Sequence, residues 1–195
     1  MTPRRIDASA IVPLAEYTGQ RAERRKRIAA IKKNRRLEVG PFATFYFESY
    51  DTMLHQVHEM LFIEKGGAAQ LADELAAYNP LIPTGSELVA TVMFEIDDPL
   101  RRARVLATLG GVEHKAFLRV GGETVRGLAE EDQERSREDG KASSVQFIRF
   151  PFTAAQIKAF RSGEGDVVVG FDHANYGHMA VMPDPVRQAL ARDFD

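Results

Sequence analysis

The stretch Phe42–Glu64, FATFYFESYDTMLHQVHEMLFIE, constrains the fold of this chain more than any other. Its opening, Phe42 to Phe47, is aromatic and apolar with no glycine or proline. That pattern suits a strand covered on both faces rather than one lying half in solvent. Tyr50–Glu64 then reads as a helix. At about 100° per residue, Met53, Leu54, Val57, Met60 and Leu61 share one arc, which is the core face. His55 and Glu59, four residues apart, lie together on the opposite side, and His58 falls at the margin beside Phe62. Glu64 projects back towards the apolar arc, where a carboxylate needs a partner or takes a raised pKa.

Glu48, His55, His58, Glu59 and Glu64 are therefore candidates for a metal or acid–base site. Imidazole and carboxylate together suit zinc or non-haem iron, and i, i+4 spacing lets two side chains reach one ion. The order HxxHE is not HExxH, whose two histidines share a helix face. The Glu-x-x-His pairing of di-iron carboxylate bundles occurs nowhere in the sequence. The plainer alternative is a surface pair of His55 and Glu59, a boundary His58, and a Glu64 near a helix end before Gly66-Gly67.

A chain of 195 residues can form one domain with an appended arm, and a fold of that size buries roughly 70% of its extended-chain surface. The absence of cysteine excludes structural disulfides, thiolate nucleophiles, cysteine-held iron–sulfur clusters and thiolate zinc sites. The amino terminus, MTPRRIDAS, has positive charge without a following apolar run, and no stretch approaches the length of a membrane span. A cytoplasmic location is the simplest expectation. Net charge is only −2, yet Arg21–Arg36 holds nine Lys or Arg against one acid, Glu23. The rest of the chain is correspondingly acidic.

Ile11, Val12, Pro13, Leu14 and Tyr17 form a short apolar cluster able to pin an N-terminal arm. Gln20–Arg36 has no glycine or proline and consists largely of helix formers, with only Ile28 and Ile31 as an apolar strip. Such a basic helix meets either phosphates or an acidic partner, or is solvated and balanced by ion pairs to the acidic remainder. No stacking aromatics or base-reading motif accompany the charge, so nucleic acid is not the expected partner.

Further on, Ala68–Tyr78 is helical and is stopped by Asn79-Pro80. Glu87–Ile96 is a strand. Asp98 caps a helix with Pro99 in its first turn, running to about Leu109 before Gly110-Gly111. Lys115–Val120 and Glu123–Leu128 flank Gly121-Gly122 as a tight hairpin. Ala129–Lys141 is almost wholly charged and reads as an exposed helix or loop. Ser144–Phe152 is another strand, Thr153-x-x-Gln156 is a capping box opening a helix that ends near Gly163, and a last short helix follows Pro183. Asp166–Phe171 leads into Asp172-His173-Ala174-Asn175-Tyr176-Gly177-His178. Two histidines, a carboxylate and a phenol there could supply metal ligands, or a general base with its orienting carboxylate; a plain turn is the alternative.

Hairpin-linked strands and few complete parallel crossovers give an α+β fold. We expect a mostly antiparallel or mixed sheet of about six strands with helices packed on it. Residues 1–36 form the arm and basic helix, and 37–195 a single α+β domain. Gly66-Gly67, Gly110-Gly111 and Gly121-Gly122 fit no phosphate-loop or dinucleotide pattern, and no GxSxG elbow is present.

Several strings together, YNPLIP at Tyr78–Pro83, LRVGGE at Leu118–Glu123, EDGKASSVQFIRF ending at Phe150 and DHANYGH at Asp172–His178, resemble a bacterial domain-of-unknown-function family. The resemblance runs from about Ile11 to Leu190. Its genes often neighbour rubrerythrin and an iron–sulfur oxidoreductase, which implies a peroxide-defence or redox setting and either protein as a partner. The family pattern usually has an aromatic and a Gln where this chain has His55 and His58, whereas Gln56 and Glu59 match. The resemblance therefore favours Glu59, Asp172, His173, Tyr176 and His178 as site residues over His55 and His58. Two functions follow as expectations: an accessory protein that binds a redox partner, and a metal-dependent enzyme in which His173, His178 and Glu59 hold iron or zinc.

Overall fold

The computed structural model describes residues 3–130 and 141–195. In chain order its principal elements are α1 (Leu14–Lys33), β1 (Arg36–Val39), β2 (Ala43–Phe47), α2 (Tyr50–Glu64), α3 (Gly67–Tyr78), β3 (Glu87–Phe94), α4 (Pro99–Leu106) and β4 (Ala116–Val120). They continue with β5 (Glu123–Arg126), β6 (Leu128–Ala129), β7 (Val145–Pro151), α5 (Ala154–Ser162), β8 (Val168–Phe171), β9 (Met179–Val181) and α6 (Asp184–Leu190). The fold is α+β. Among the described residues the strands make two sheets, ordered β1-β2-β3-β7-β6 and β5-β4-β8-β9, and every pairing is antiparallel.

The period-2 pattern of the strands decides how the sheets face each other. Ala43, Phe45 and Phe47 of β2, Leu88, Ala90, Val92 and Phe94 of β3, and Ile148 and Phe150 of β7 meet Ala116, Leu118, Val169 and Phe171 of the other sheet in one core. Phe45 and Phe171 join the two layers, their ring centroids 5.2 Å apart. Fully burying side chains of this size stabilises the fold by about 1.5–3 kcal/mol each. The opposite face of the five-stranded sheet presents Val89 and Phe147, and these pack with Met53 and Val57 of α2, with Leu81 and Ile82, and with Ile6 of the N-terminal arm in a second core. The cover expected on both faces of Phe42–Phe47 is complete for Ala43, Phe45 and Phe47, which face the second sheet; on the other face Tyr46 is half-buried and its hydroxyl reaches Glu95 at 2.8 Å.

Local signals set the element ends. Thr153 and Gln156 form the expected capping box, and Asp98 accepts from the Arg101 N–H at 2.6 Å with Pro99 opening α4. A second capping box, between Ser49 and Thr52, opens α2. Gly121 and Gly122, at φ +57° and +81°, make the two-residue turn that pairs Val120 with Glu123.

Three features differ from expectation. The basic helix begins at Leu14 and ends at Lys33, so Arg36 starts a strand and Arg35 turns inward, buried against Asp193. Strands β1 and β9 are four and three residues long, too short for periodicity to reveal. Helix α4 ends at Leu106, before the expected Leu109. Most of the charged segment 129–141 lies outside the described residues. Among the described residues no helix is long and apolar enough to cross a membrane.

Candidate functional site

Helix α1 lies along α2, and that contact gathers Tyr17 and Arg21 of α1 with His55, His58 and Glu59 of α2. Glu59 receives Arg21 Nε and Nη2, each at 2.8 Å and each on a different carboxylate oxygen, and Tyr17 Oη donates to it at 2.6 Å. The hydrogen bonds from Arg21 outweigh the effect of burial and hold the Glu59 carboxyl down at about 2. Burial, reinforced by the adjacent Glu59 carboxylate, pushes the Tyr17 hydroxyl up. Glu59 is thus the latch of a helix–helix contact, with its lone pairs already engaged.

His58 is not the margin residue its helix position implies, because Tyr17 and the arm residue Val12 close over it and leave it 2% exposed. Its ring stacks on Tyr17 with centroids 4.8 Å apart. Nδ1 lies 2.8 Å from the Leu54 carbonyl oxygen and Nε2 accepts the Val12 N–H at 3.2 Å. Since Val12 can only donate, Nε2 carries no hydrogen and Nδ1–H points to Leu54. Burial lowers the His58 pKa, against the pull of the Leu54 carbonyl.

His55, one helical turn before Glu59, is half-buried and has no hydrogen-bond partner among the described residues. Burial lowers its pKa too, with Glu59 opposing and Lys32, His58 and Arg25 assisting. It borders a groove of about 620 Å³ between α1 and α2, whose walls include Arg24, Arg27, Ile28, Ile31 and Leu54. Of the remaining early carboxylates, Glu48 is buried and accepts Thr91 Oγ1 at 2.7 Å and Thr52 Oγ1 at 2.6 Å, tying the start of α2 to β3. Glu64 is exposed and meets Gln70 Nε2 at 3.1 Å instead of projecting into the core.

The late loop is built as a staple. Tyr176, 2% exposed, accepts the Phe42 and Ala43 N–H groups at 3.0 and 2.8 Å and donates to the Val39 carbonyl at 2.8 Å, fixing the β1–β2 turn. Burial raises its pKa. His178 packs on that same turn. A Cβ at Gly40 would stand 2.5 Å from the His178 Cγ, and Gly40 itself sits at φ +70°. His173 uses both ring nitrogens, Nε2 at 3.2 Å from the Gly110 carbonyl and Nδ1 accepting the Asn175 N–H at 3.2 Å. Asp172 pairs with Arg126 at 2.7 Å, and that hydrogen bond lowers its pKa.

The structure does not bring Glu59 to His173 and His178. Helix α2 packs on one face of the five-stranded sheet, and the loop belongs to the sheet against its other face. The loop grips β2 at Ala43 while α2 springs from its Phe47 end, about 13 Å away at strand rise. Among the described residues no three His, Asp or Glu side chains are grouped to hold a metal ion. Sequence reasoning missed Tyr17 and Arg21 as partners of Glu59. Their i, i+4 spacing on the basic helix was the available sign.

The pKa shifts make acid sensitivity an expected outcome. His58 is depressed in the fold, so its contribution is complete above the ordinary value of 6.5 and is lost as pH falls from there through its lowered value. Glu59 adds a second loss as pH falls from 4.5 towards about 2. Urea titrations at about pH 7 and about pH 5.5 should show a loss of stability that is smaller in His58→Gln. An unchanged difference in the variant would show that His58 is not responsible.

The fold and this site define a two-sheet α+β domain with a helical layer on one sheet and a cationic helix outermost. The chain belongs to the family described as "Protein of unknown function (DUF3501)", whose sequence profile matches residues 5–194. It is also similar to a crystal structure of a novel protein of unknown function from Burkholderia pseudomallei K96243. The two are 35% identical with a TM-score of 0.90, over 97% of this chain and 99% of that one. No curated protein matches.

Proposed function

We propose that this protein is an accessory protein that acts by binding a partner protein, docking an acidic surface of that partner on α1. The observation that carries this reading is the unbalanced charge of the helix. Arg25, Lys26, Arg27 and Lys33 are exposed, and among the described residues Arg25, Arg27 and Lys33 have no ion-pair partner. Among the described residues, the one cation on α1 that reaches an acid on another element is Arg21, which pairs with Glu59. A solvated helix neutralised by the acidic remainder would look different. Exposed like charges left unpaired cost a little stability and supply long-range attraction to an oppositely charged surface.

The family resemblance supplies the choice of partner. Rubrerythrin and an iron–sulfur oxidoreductase are the two to test, within a redox or peroxide-defence setting. The alternative of an iron or zinc enzyme draws no support from the geometry, because Glu59 stands apart from His173 and His178, and the Glu59 carboxylate and both His173 ring nitrogens are engaged within the protein.

A triple variant, Arg25→Gln/Arg27→Gln/Lys33→Gln, removes three exposed charges without touching the Glu59 latch. Its affinity for the purified partner should fall by about tenfold or more, mainly through slower association, with little change in thermal stability. Unchanged affinity would remove α1 from the interface. Equal retention of wild type and variant on DNA and RNA is expected, and a loss of nucleic-acid binding confined to the variant would favour phosphate as the natural counter-charge.

A further inference from the structure

Resting on the docking reading, we infer that the groove between α1 and α2 seats one acidic amphipathic helix of the partner. Two side-by-side helices leave a furrow into which a third can lay its apolar ridge. The furrow here has a volume of about 620 Å³ and is open to solvent. Its apolar part is supplied by Ile28 and Ile31 of α1 and Leu54 of α2, and Ile31 and Leu54 are only partly buried. Helix α1 buries just Tyr17 and Ile28 within this protein, so its short isoleucine strip is incompletely covered.

The polar groups at the groove define the chemistry of the occupant. Arg24 and Arg27 stand on the α1 side, and His55 on the α2 side has no hydrogen-bond partner among the described residues. His58, which lines the same groove, differs in having both nitrogens committed to Leu54 and Val12. Glu23 and Asp51 also border it and would repel a carboxylate placed beside them, so the register of the acidic positions is restricted. A small inorganic anion would leave the isoleucine and leucine surface unused. A helix with leucines at i, i+3 and i+4 and glutamates flanking them satisfies both halves.

The test uses the full chain and a fluorescein-labelled peptide of about five helical turns, with leucines on one face and glutamates beside them. A second peptide has the same composition with the leucines scattered around the helix. The patterned peptide should bind at least about tenfold more tightly than the scattered one, the worth of burying one leucine side chain. Ile31→Gln and, separately, Arg24→Gln/Arg27→Gln should each erase most of that difference, with circular dichroism reporting that the fold is kept. The Arg25→Gln/Lys33→Gln pair should weaken both peptides equally. Equal binding of the two peptides, or indifference to Ile31→Gln, would overturn the groove while leaving electrostatic docking standing. Failure of both acidic peptides to bind at low salt would overturn both.

Discussion

Replacing Arg35 with Met should cost about 3–5 kcal/mol, the largest loss expected of any single change described for this molecule. Arg35 is 6% exposed, and its guanidinium ties three parts of the chain together. Nε donates to the Phe47 carbonyl at 2.9 Å, Nη2 to the Glu48 carbonyl at 2.7 Å, and the fork pairs with Asp193. It therefore holds the end of β2, where the chain leaves the sheet for α2, against the carboxy-terminal segment. Burial pushes the Asp193 pKa up while Arg35 and Arg4 pull it down, so removing Arg35 leaves a buried carboxyl with less to hold its charge. Thermal unfolding should drop by about 10 °C for a chain of this length. The double change Arg35→Met/Asp193→Leu should recover much of that loss, because an apolar pair of similar volume avoids the isolated charge. A single variant as stable as wild type would show that the pair contributes nothing.

The second large effect belongs to Glu59. Glu59→Ala removes two hydrogen bonds from Arg21 and the acceptor of the buried Tyr17 hydroxyl together, and should cost about 2–3 kcal/mol. The Glu59 and Arg21 side chains keep 15% and 29% of their accessibility, which puts the loss below that of a fully buried pair. Hydrogen exchange should separate this variant from the first. Amides of α1 should lose protection while those of β2 and β3 keep theirs, because the principal contact of α1 is with α2. A double-mutant cycle with Arg21→Gln should give a coupling well above the few tenths of a kcal/mol typical of independent sites. Strict additivity would contradict the latch.

These two clusters also mark where the sequence was legible and where it was not. Signals within one turn or one hairpin were readable, as in the Thr153–Gln156 capping box, the Asp98-Pro99 helix start and the Gly121-Gly122 turn. The α+β class and its antiparallel pairing followed from hairpin-linked strands. Contacts between distant segments had no local sign. Arg35 and Asp193 are 158 positions apart, and nothing in the run Asn34-Arg35-Arg36 distinguishes the one arginine that turns inward. Arg36 was read into the basic helix because β1 is short and its outward residues are charged.

The candidate site was partly legible. His55 and Glu59 do share a helix face, as i, i+4 spacing requires, but their shared neighbour is α1. Helical periodicity reports which side of α2 a residue occupies and not what packs there, and so His58 looked marginal until Tyr17 and Val12 covered it. In the DHANYGH string Tyr176 and His178 hold the β1–β2 turn through Val39, Gly40 and Ala43, while His173 is bound to Gly110 and Asn175. A staple and a ligand set use the same residue types, and only their partners tell them apart.

The most direct test of docking through α1 is the equilibrium affinity for purified rubrerythrin and for the iron–sulfur oxidoreductase, measured as salt is raised. With a Debye length of about 10 Å at 0.1 M and about 3 Å at 1 M, attraction between exposed charges is largely screened across that range. Binding to one of the two should be clear at low salt and weaken by about tenfold or more as salt rises. No binding to either at low salt, or an affinity indifferent to salt, would contradict it.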